Sequence, residues 1–527
     1  MIIRALLKRN TYYDSITLMS VAQAAKDLPG VEDVGAVMAT EVNFELLLNS
    51  NLMPVAFLAE QPTPPSSEDL LIVLRAIDEA HAEMALAVAE ERLTSRGDRG
   101  TPSRGETLAA LSLEMAFKRD EAANLAVISV AGEHAWLEAE QALRCGLHVF
   151  LFSDNVPLEQ EKRLKTLAIS KGLLLMGPDC GTAIINGIGL GFSNVVSRGS
   201  IGIVGASGTG MQQLICLIAA AGMGISQAIG TGGRDLSETI GGLMMRRGLE
   251  LLSNDEQTEV IVLVSKPPTE QVAREILAAS QIMKPVVVAF LGAAPEKFAS
   301  VAGHAHMAMT LTEGAELAVS LAGGDRWRIP GKDALNKYDL PKEHAKLASS
   351  QRYIRALYSG GTLCDEAMLL LSEQLGPIAS NIPLRSEWSL SAGETFSGHT
   401  ALDLGSDEFT RGRPHPMIDP TISLQYLASA AEDPQTAVIL LDIVLGYCAQ
   451  QNPASVYAPA IVQAREMAKV AGRWLPVIIS LCGTEGDPQR LSLQRTALEA
   501  AGAMVFESNE MAARAAALLV RDPIHQA

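Results

Sequence analysis

The sequence predicts an α/β protein built from several doubly wound parallel-sheet domains, and three observations carry that prediction. Short Val/Ile/Leu runs alternate with longer segments of helical period: "NLAVISVAG" precedes "EHAWLEAEQALRCG", and "LHVFLFSDN" precedes "PLEQEKRLKTLAISKG" and then "LLLMGPDCG". Strands that are apolar throughout are buried on both faces, as parallel strands between two helix layers are. A chain of 527 residues exceeds what one hydrophobic core serves, so several domains are expected. Finally, the chain repeats itself. "IGIVGASGTGMQQL" (201 to 214) is echoed by "IRALYSGGTLCDEAM" (354 to 368), "NDEQTEVIVLVSKP" by "EDPQTAVILLDIV", and "KPVVVAFLG" by "LPVIISLCG", in the same order. Two lobes of one flavodoxin-like fold follow from this repetition.

In chain order, residues 1–195 are expected to form a Rossmann-like domain. Residues 196–325 form the first flavodoxin-like lobe, 326–351 a linker without sustained apolar period, and 352–527 the second lobe. "EQPTPPSSED" and "TSRGDRGTPSRGET" read as exposed loops, being rich in Pro, Gly, Ser and charge.

Composition narrows the partners. With 60 acidic against 42 basic residues the formal net charge is -18, which excludes a nucleic-acid backbone or an anionic membrane as main partner. A small anionic metabolite, companion subunits and further copies of the chain are expected instead. Cys145, Cys180, Cys216, Cys364, Cys448 and Cys482 are scattered, with no CxxC pair, so neither a disulfide framework nor a metal site is signalled. The N-terminal apolar run is too short for a signal peptide, and no apolar run has membrane-spanning length, so a cytoplasmic location is expected.

The two Gly-rich turns carry the candidate chemistry. A helix N-terminus presents unpaired amides and the positive end of the helix dipole, which together hold phosphate or carboxylate. Ser207, Gly208, Thr209 and Gly210, facing Ser359, Gly360, Gly361 and Thr362, would form a closed anion cage. The first turn is not a Walker loop, because Met211 stands where a P-loop needs Lys, and it is not GxGxxG; nucleotide binding there is not expected. "GGRDLSE" either places Arg234 beside the anion or merely caps a helix with Asp235 or Ser237. "TRGRPHPMIDPT" displays Arg411, Arg413, His415 and Asp419 on a proline-stiffened turn. Arg413 and His415 are the expected catalytic pair, an oxyanion fork and a near-neutral acid or base; the other reading is a rigid surface turn. Cys180, in "GPDCG", reads as a packed thiol rather than a nucleophile.

"KGLLLMGPDCGTAIINGIGLGF" followed by "GSIGIVGASGTG" resembles the junction of the first two domains of the succinyl-CoA synthetase α subunit, which implies that residues 1–195 are a domain of CoA-binding type. "LYSGGTLCDEAM", "TALDLGSDEFT" and "DPQTAVILLDIVLG" resemble the C-terminal domain of that enzyme's β subunit. "NTYYDSITLMS", "LFSDNVPLEQE", "MGPDCGTAIING", "GGRDLSE", "VSKPPTE", "GGTLCDE" and "GRPHPMIDPT" together resemble the FdrA family over nearly the whole chain.

The resemblance implies chemistry on an acyl or carbamoyl phosphate. Its first form is a subunit of a catabolic carbamoyltransferase that splits oxalurate with phosphate into oxamate and carbamoyl phosphate. The alternatives are a CoA ligase with its nucleotide site on another chain, and a scaffold or sensor subunit. Three departures bear on these. No segment remains for an ATP-grasp domain, and "RALLKRNTYYDSITLM" has no glycine where the α subunit opens with its CoA-binding turn, which leaves CoA an open cofactor. The third is His304, in "VAGHAHMAMT", which lacks the residues that follow the synthetase's phosphorylated histidine and reads as structural.

Overall fold

The computed structural model describes residues 2–521 except 12, 14, 41–42, 45–46, 49–51, 54–56, 58–64, 67, 98–109, 111, 121, 281, 294–297, 324–333, 391–393 and 411–412. By its contacts the chain divides into two units, one holding 1–147, 155–157 and 411–414, the other holding the remainder.

In the first unit β1 (Ile2–Lys8), β2 (Val31–Met38) and β3 (Leu70–Ala76) form an antiparallel sheet in the order β1-β3-β2. Ile2 lies opposite Ala76 and Lys8 opposite Leu70. The side chains of β3 alternate between two cores. Leu70, Ile72 and Leu74 pack with Leu18, Val21 and Ala25 of helix Ser15–Lys26 and with Ala82, Ala85 and Ala89 of helix Glu79–Gly97. Leu71 and Val73 pack on the other side with Ala39, Leu47, Leu52 and Met53. The Rossmann-like domain expected over 1–195 is therefore not what its first part forms. A central antiparallel strand covered on both faces has the same continuous apolar run as a buried parallel strand, and the run alone does not separate them. The unit continues through β4 (Leu125–Ile128) and helix Gly132–Arg144.

The second unit begins with β5 (His148–Leu151), which pairs in parallel with β6 (Leu175–Met176). Its first lobe is a seven-stranded sheet. Strands β9 (Arg198–Gly205), β10 (Ile225–Gly230), β11 (Val260–Ser265), β12 (Val286–Phe290) and β13 (His306–Met307) run parallel in the order β13-β12-β11-β9-β10, which is the flavodoxin arrangement. A hairpin of β7 (Thr182–Ile185) and β8 (Ile188–Gly191) extends the β10 edge antiparallel.

The second lobe is a parallel six-stranded sheet of β14 (Tyr353–Tyr358), β15 (Ile378–Ala379), β16 (His399–Asp403), β17 (Thr436–Val444), β18 (Val477–Cys482) and β19 (Met504–Phe506), in the order β15-β16-β14-β17-β18-β19. Both predicted lobes are thus present. The stretch expected as a linker is packed where it is described: Leu340 is buried, Glu343 accepts from the Trp474 indole at 2.7 Å, and His344 lies 2.8 Å from the Leu519 carbonyl.

The lobes share one core that runs from Ile201 and Leu214 to Leu363 and Ala517. Buried polar bonds fasten them. Glu366 accepts from the Leu311 amide at 2.7 Å and from Asn509 at 2.8 Å, and Asn194 donates to the Leu445 carbonyl and to Asp487, both at 2.9 Å. The Leu311 bond caps the start of helix Leu311–Gly323 with a carboxylate from the other lobe.

Candidate functional site

The carboxyl ends of β9 and β14 each turn directly into a helix, Gly208–Ala220 in the first lobe and Gly361–Leu375 in the second. The ends meet. Ser207 Oγ donates to Thr362 Oγ1 at 2.6 Å, and a Cβ on Gly360 would lie 2.7 Å from Thr209 Oγ1, so only glycine admits this approach. Ser207 also caps its own helix, accepting from the Gly210 amide at 3.0 Å. The structure therefore brings Ser207, Thr209, Gly210, Gly360 and Thr362 to one point.

The second turn departs from the expected cage. Asp442, at the end of β17, already occupies it: its carboxylate accepts from the Ser359 amide at 2.6 Å, the Ser359 hydroxyl at 2.8 Å and the Gly360 amide at 2.9 Å. Those donors are spent on an internal anion. Burial nonetheless raises Asp442 to about 6, against the pull of these hydrogen bonds.

Open space lies on both sides: one cleft against the second turn is lined by Ser359, Met417, Asp442 and Tyr457 among others, and another lies on the first-lobe side. The first-lobe cleft is lined by Asp179, Cys180, Gly181, Thr182, Gly205, Ser207, Gly208, Gly230 and Gly232. The Gly208 and Thr209 amides, first in their helix, have no carbonyl one turn back within it. Thr182 is 1% exposed, and its hydroxyl has no hydrogen-bond partner among the described residues; it lies 3.6 Å from where a Gly208 Cβ would stand. Asp179 lines the cleft and is exposed to solvent. Its crowded surroundings, then the charges of Asp154 and Asp407, raise its pKa, while Arg234 works the other way.

Neighbouring groups fix this geometry. Lys165, fully buried, bridges Glu161 at 2.8 Å and Asp235 at 2.9 Å and donates to the Thr231 carbonyl at 2.9 Å. Asp235 in turn accepts from the Met244 and Met245 amides. This network holds the loop whose Gly230 and Gly232 floor the cleft. Arg234 pairs with Glu161 at 2.9 Å, beside the cleft rather than in its lining. Cys180 is buried, its thiol near the Thr182 and Gly230 carbonyls, and burial pushes it to about 12, so it stays a protonated packing group.

Beside Gly361 stand two groups that the sequence reading quoted within motifs but did not assign. A Gly361 Cβ would lie 2.6 Å from Asp403 and 3.0 Å from Lys266 Nζ, and Lys266 pairs with Asp365 at 2.9 Å. Burial opposes the Lys266 ammonium, but the charges of Asp365 and Asp403 outweigh it and raise its pKa. Desolvation raises Asp403 itself to about 7.

The "TRGRPHPMIDPT" motif is divided. Arg411 lies outside the described residues, Arg413 groups with the first unit, and His415 belongs to the second. His415 Nδ1 accepts from the Met417 amide at 3.2 Å, its ring lies 5.8 Å from that of Phe192, and a Gly405 Cβ would be 2.6 Å from its Nε2. Burial pushes it down to about 4, so the expected near-neutral acid or base is instead a neutral imidazole. Asp419 holds Thr421, accepting from its amide at 3.0 Å and its hydroxyl at 2.6 Å. His304 lies exposed in the turn before β13.

Three family models match the chain: a CoA binding domain over 196–292, CoA-ligase over 357–519, and the AllF heavy metal-associated domain over 1–109. The uncharacterized protein YahF of Escherichia coli (strain K12) is 43% identical over 513 residues, 97% of either chain. The chain belongs to the YahF family. Like this YahF-family protein over part of its length are subunit alpha 2 of the ADP-forming succinate–CoA ligase of Archaeoglobus fulgidus, 31% identical over 35% of this chain and 65% of that one, and the ADP-forming sulfoacetate-CoA ligase subunit SauD of Bilophila wadsworthia, 24% identical over 41% and 76%. A solved dinucleotide-forming acetyl-coenzyme A synthetase 1 from Ca. Korarchaeum cryptofilum overlays with a TM-score of 0.33 at 15% identity, covering 80% and 87% of the two chains.

The YahF-family protein thus contains a CoA-binding-type domain over 196–292 and a CoA-ligase-type domain over 357–519. The CoA-binding match falls on the first lobe rather than on residues 1–195, where the sequence reading placed that domain type. Residues 1–109, matched by the heavy metal-associated model, contain no cysteine. No helix among the described residues is long and apolar enough to cross a membrane.

Proposed function

We propose that this chain is the acyl-transfer part of a CoA-ligase-type enzyme whose nucleotide site resides on a companion subunit. The supporting observation is the cleft at the Gly208 end, where the helix-terminal Gly208 amide and the Thr182 hydroxyl, without a partner among the described residues, suit one phosphate. CoA, where it takes part, supplies the thiol of a thioester. In the direction toward acyl phosphate, a phosphate oxygen held in the cleft bonds to the acyl carbon, the C–S bond breaks, and the thiol leaves with the phosphate's proton. The amide faces the charge that gathers on oxygen during this exchange. Kinship to subunits of succinate–CoA and sulfoacetate-CoA ligases supports both the chemistry and the need for a partner.

Phosphate-dependent carbamoyl transfer is the second reading. Asp179 favours it, since an acid of raised pKa suits the amide nitrogen that departs from a carbamoyl carbon. The test is to assay the full chain, alone and with candidate companion subunits, for phosphate-dependent cleavage of acyl-CoA and of oxalurate. Acyl phosphate with free thiol favours the ligase-type reading; carbamoyl phosphate favours the second. Neither product in any combination overturns both.

A further inference from the structure

We propose that Asp179 makes the cleft select hydrogen phosphate, an oxyanion that still carries a proton, over fully ionised oxyanions such as sulfate. The inference rests on reading the cleft as a phosphate seat and names what that seat requires of its occupant. Two kinds of group face the same small space. The Gly208 amide and the Thr182 hydroxyl donate, and so serve any oxyanion. Asp179 lines the same wall, and its carboxylate only accepts when ionised.

A hydrogen phosphate dianion meets both demands, giving bare oxygens to the donors and its P–OH to Asp179 in a charge-assisted bond. Sulfate has no proton to give, so one of its oxygens would face the carboxylate as like charge. Asp154 and Asp407 add to that repulsion, and Arg234 offsets part of it. Gly233 leaves room beside the carboxylate: a Cβ there would stand 3.5 Å from Asp179 Oδ2. The residue that accepts the P–OH is also positioned to keep the proton as phosphate oxygen bonds to carbon.

Calorimetric titration of the full chain at pH 8, where Asp179 is ionised, with inorganic phosphate and separately with sulfate, tests this. Phosphate is expected to bind about tenfold or more tightly than sulfate. Asp179→Asn, whose amide both donates and accepts, is expected to bring the two affinities together, chiefly by improving sulfate, with the circular dichroism spectrum unchanged. Asp179→Ser serves the same purpose if the Asn variant does not fold. Thr182→Val is expected to weaken both anions alike. Equal affinity of the native chain for both anions, or a preference that survives loss of the carboxylate, overturns the selection while leaving the seat in place. Binding of neither anion at millimolar concentration overturns the seat itself.

Discussion

Asp442 accepts three hydrogen bonds from Ser359 and Gly360 in the position an external anion was expected to take. Removing it strands buried donors, so Asp442→Ala is expected to cost about 1–3 kcal/mol in chemical denaturation; an unchanged midpoint would mean that the turn does not depend on it. Lys165 bears more. It is the common partner of two buried carboxylates, and Lys165→Met is expected to cost about 3–5 kcal/mol by leaving Glu161 and Asp235 without it. The sequence could not reveal this residue's burial: Glu161 and Lys165 are spaced i, i+4, as an ordinary solvated helix pair is. The hydroxyls and glycines of the turns were legible because their chemistry is local. Asp442, Lys266 and Asp403 were not, because each arrives from a separate strand end, and only sheet order brings them beside a turn. The His415 titration went astray for a similar reason, since the three flanking prolines suggest a surface turn whereas the ring packs by Phe192.

Among elements, the paired helix ends decide the site. Ser207→Ala removes both the cap on Gly210 and the bond to Thr362, and is expected to cost about 0.5–2 kcal/mol in thermal unfolding and to weaken phosphate binding. Gly360→Ala forces a methyl against Thr209, and is expected to reduce phosphate affinity with little change in secondary structure; full affinity in that variant would show that the helix ends tolerate separation. The repeat of strand, turn and helix was readable because both copies preserve buried strands and small residues in order. The N-terminal sheet was not, since β3 is apolar from Leu70 through Leu74 although it pairs antiparallel on both sides.

Over the whole molecule, buried ionisable groups set how stability responds to pH. Asp403 and Glu366 are raised to about 7 and Asp442 to about 6, so the native chain holds protons that the unfolded chain, with carboxyls near 4, has released. Their contribution is complete below about pH 4 and is lost as pH rises through 6 to 7. His415 and His399, depressed to about 4, act oppositely: they contribute above about 6.5 and lose that contribution as pH falls through 4. The two effects oppose one another between 4 and 6.5. Above that window only the carboxyls still titrate, so the melting temperature is expected to fall from pH 6.5 to pH 8; a rise would contradict the burial of these groups.

The hydroxyl contact between Ser207 and Thr362 lies beside a hollow lined largely by glycines, Gly181, Gly205, Gly208, Gly230 and Gly232. Such a lining offers backbone but little side-chain surface, so a bulky reactant is gripped by whatever surrounds the mouth. Truncating the remote portion of such a reactant should alter how firmly it docks while leaving the oxyanion's grip untouched.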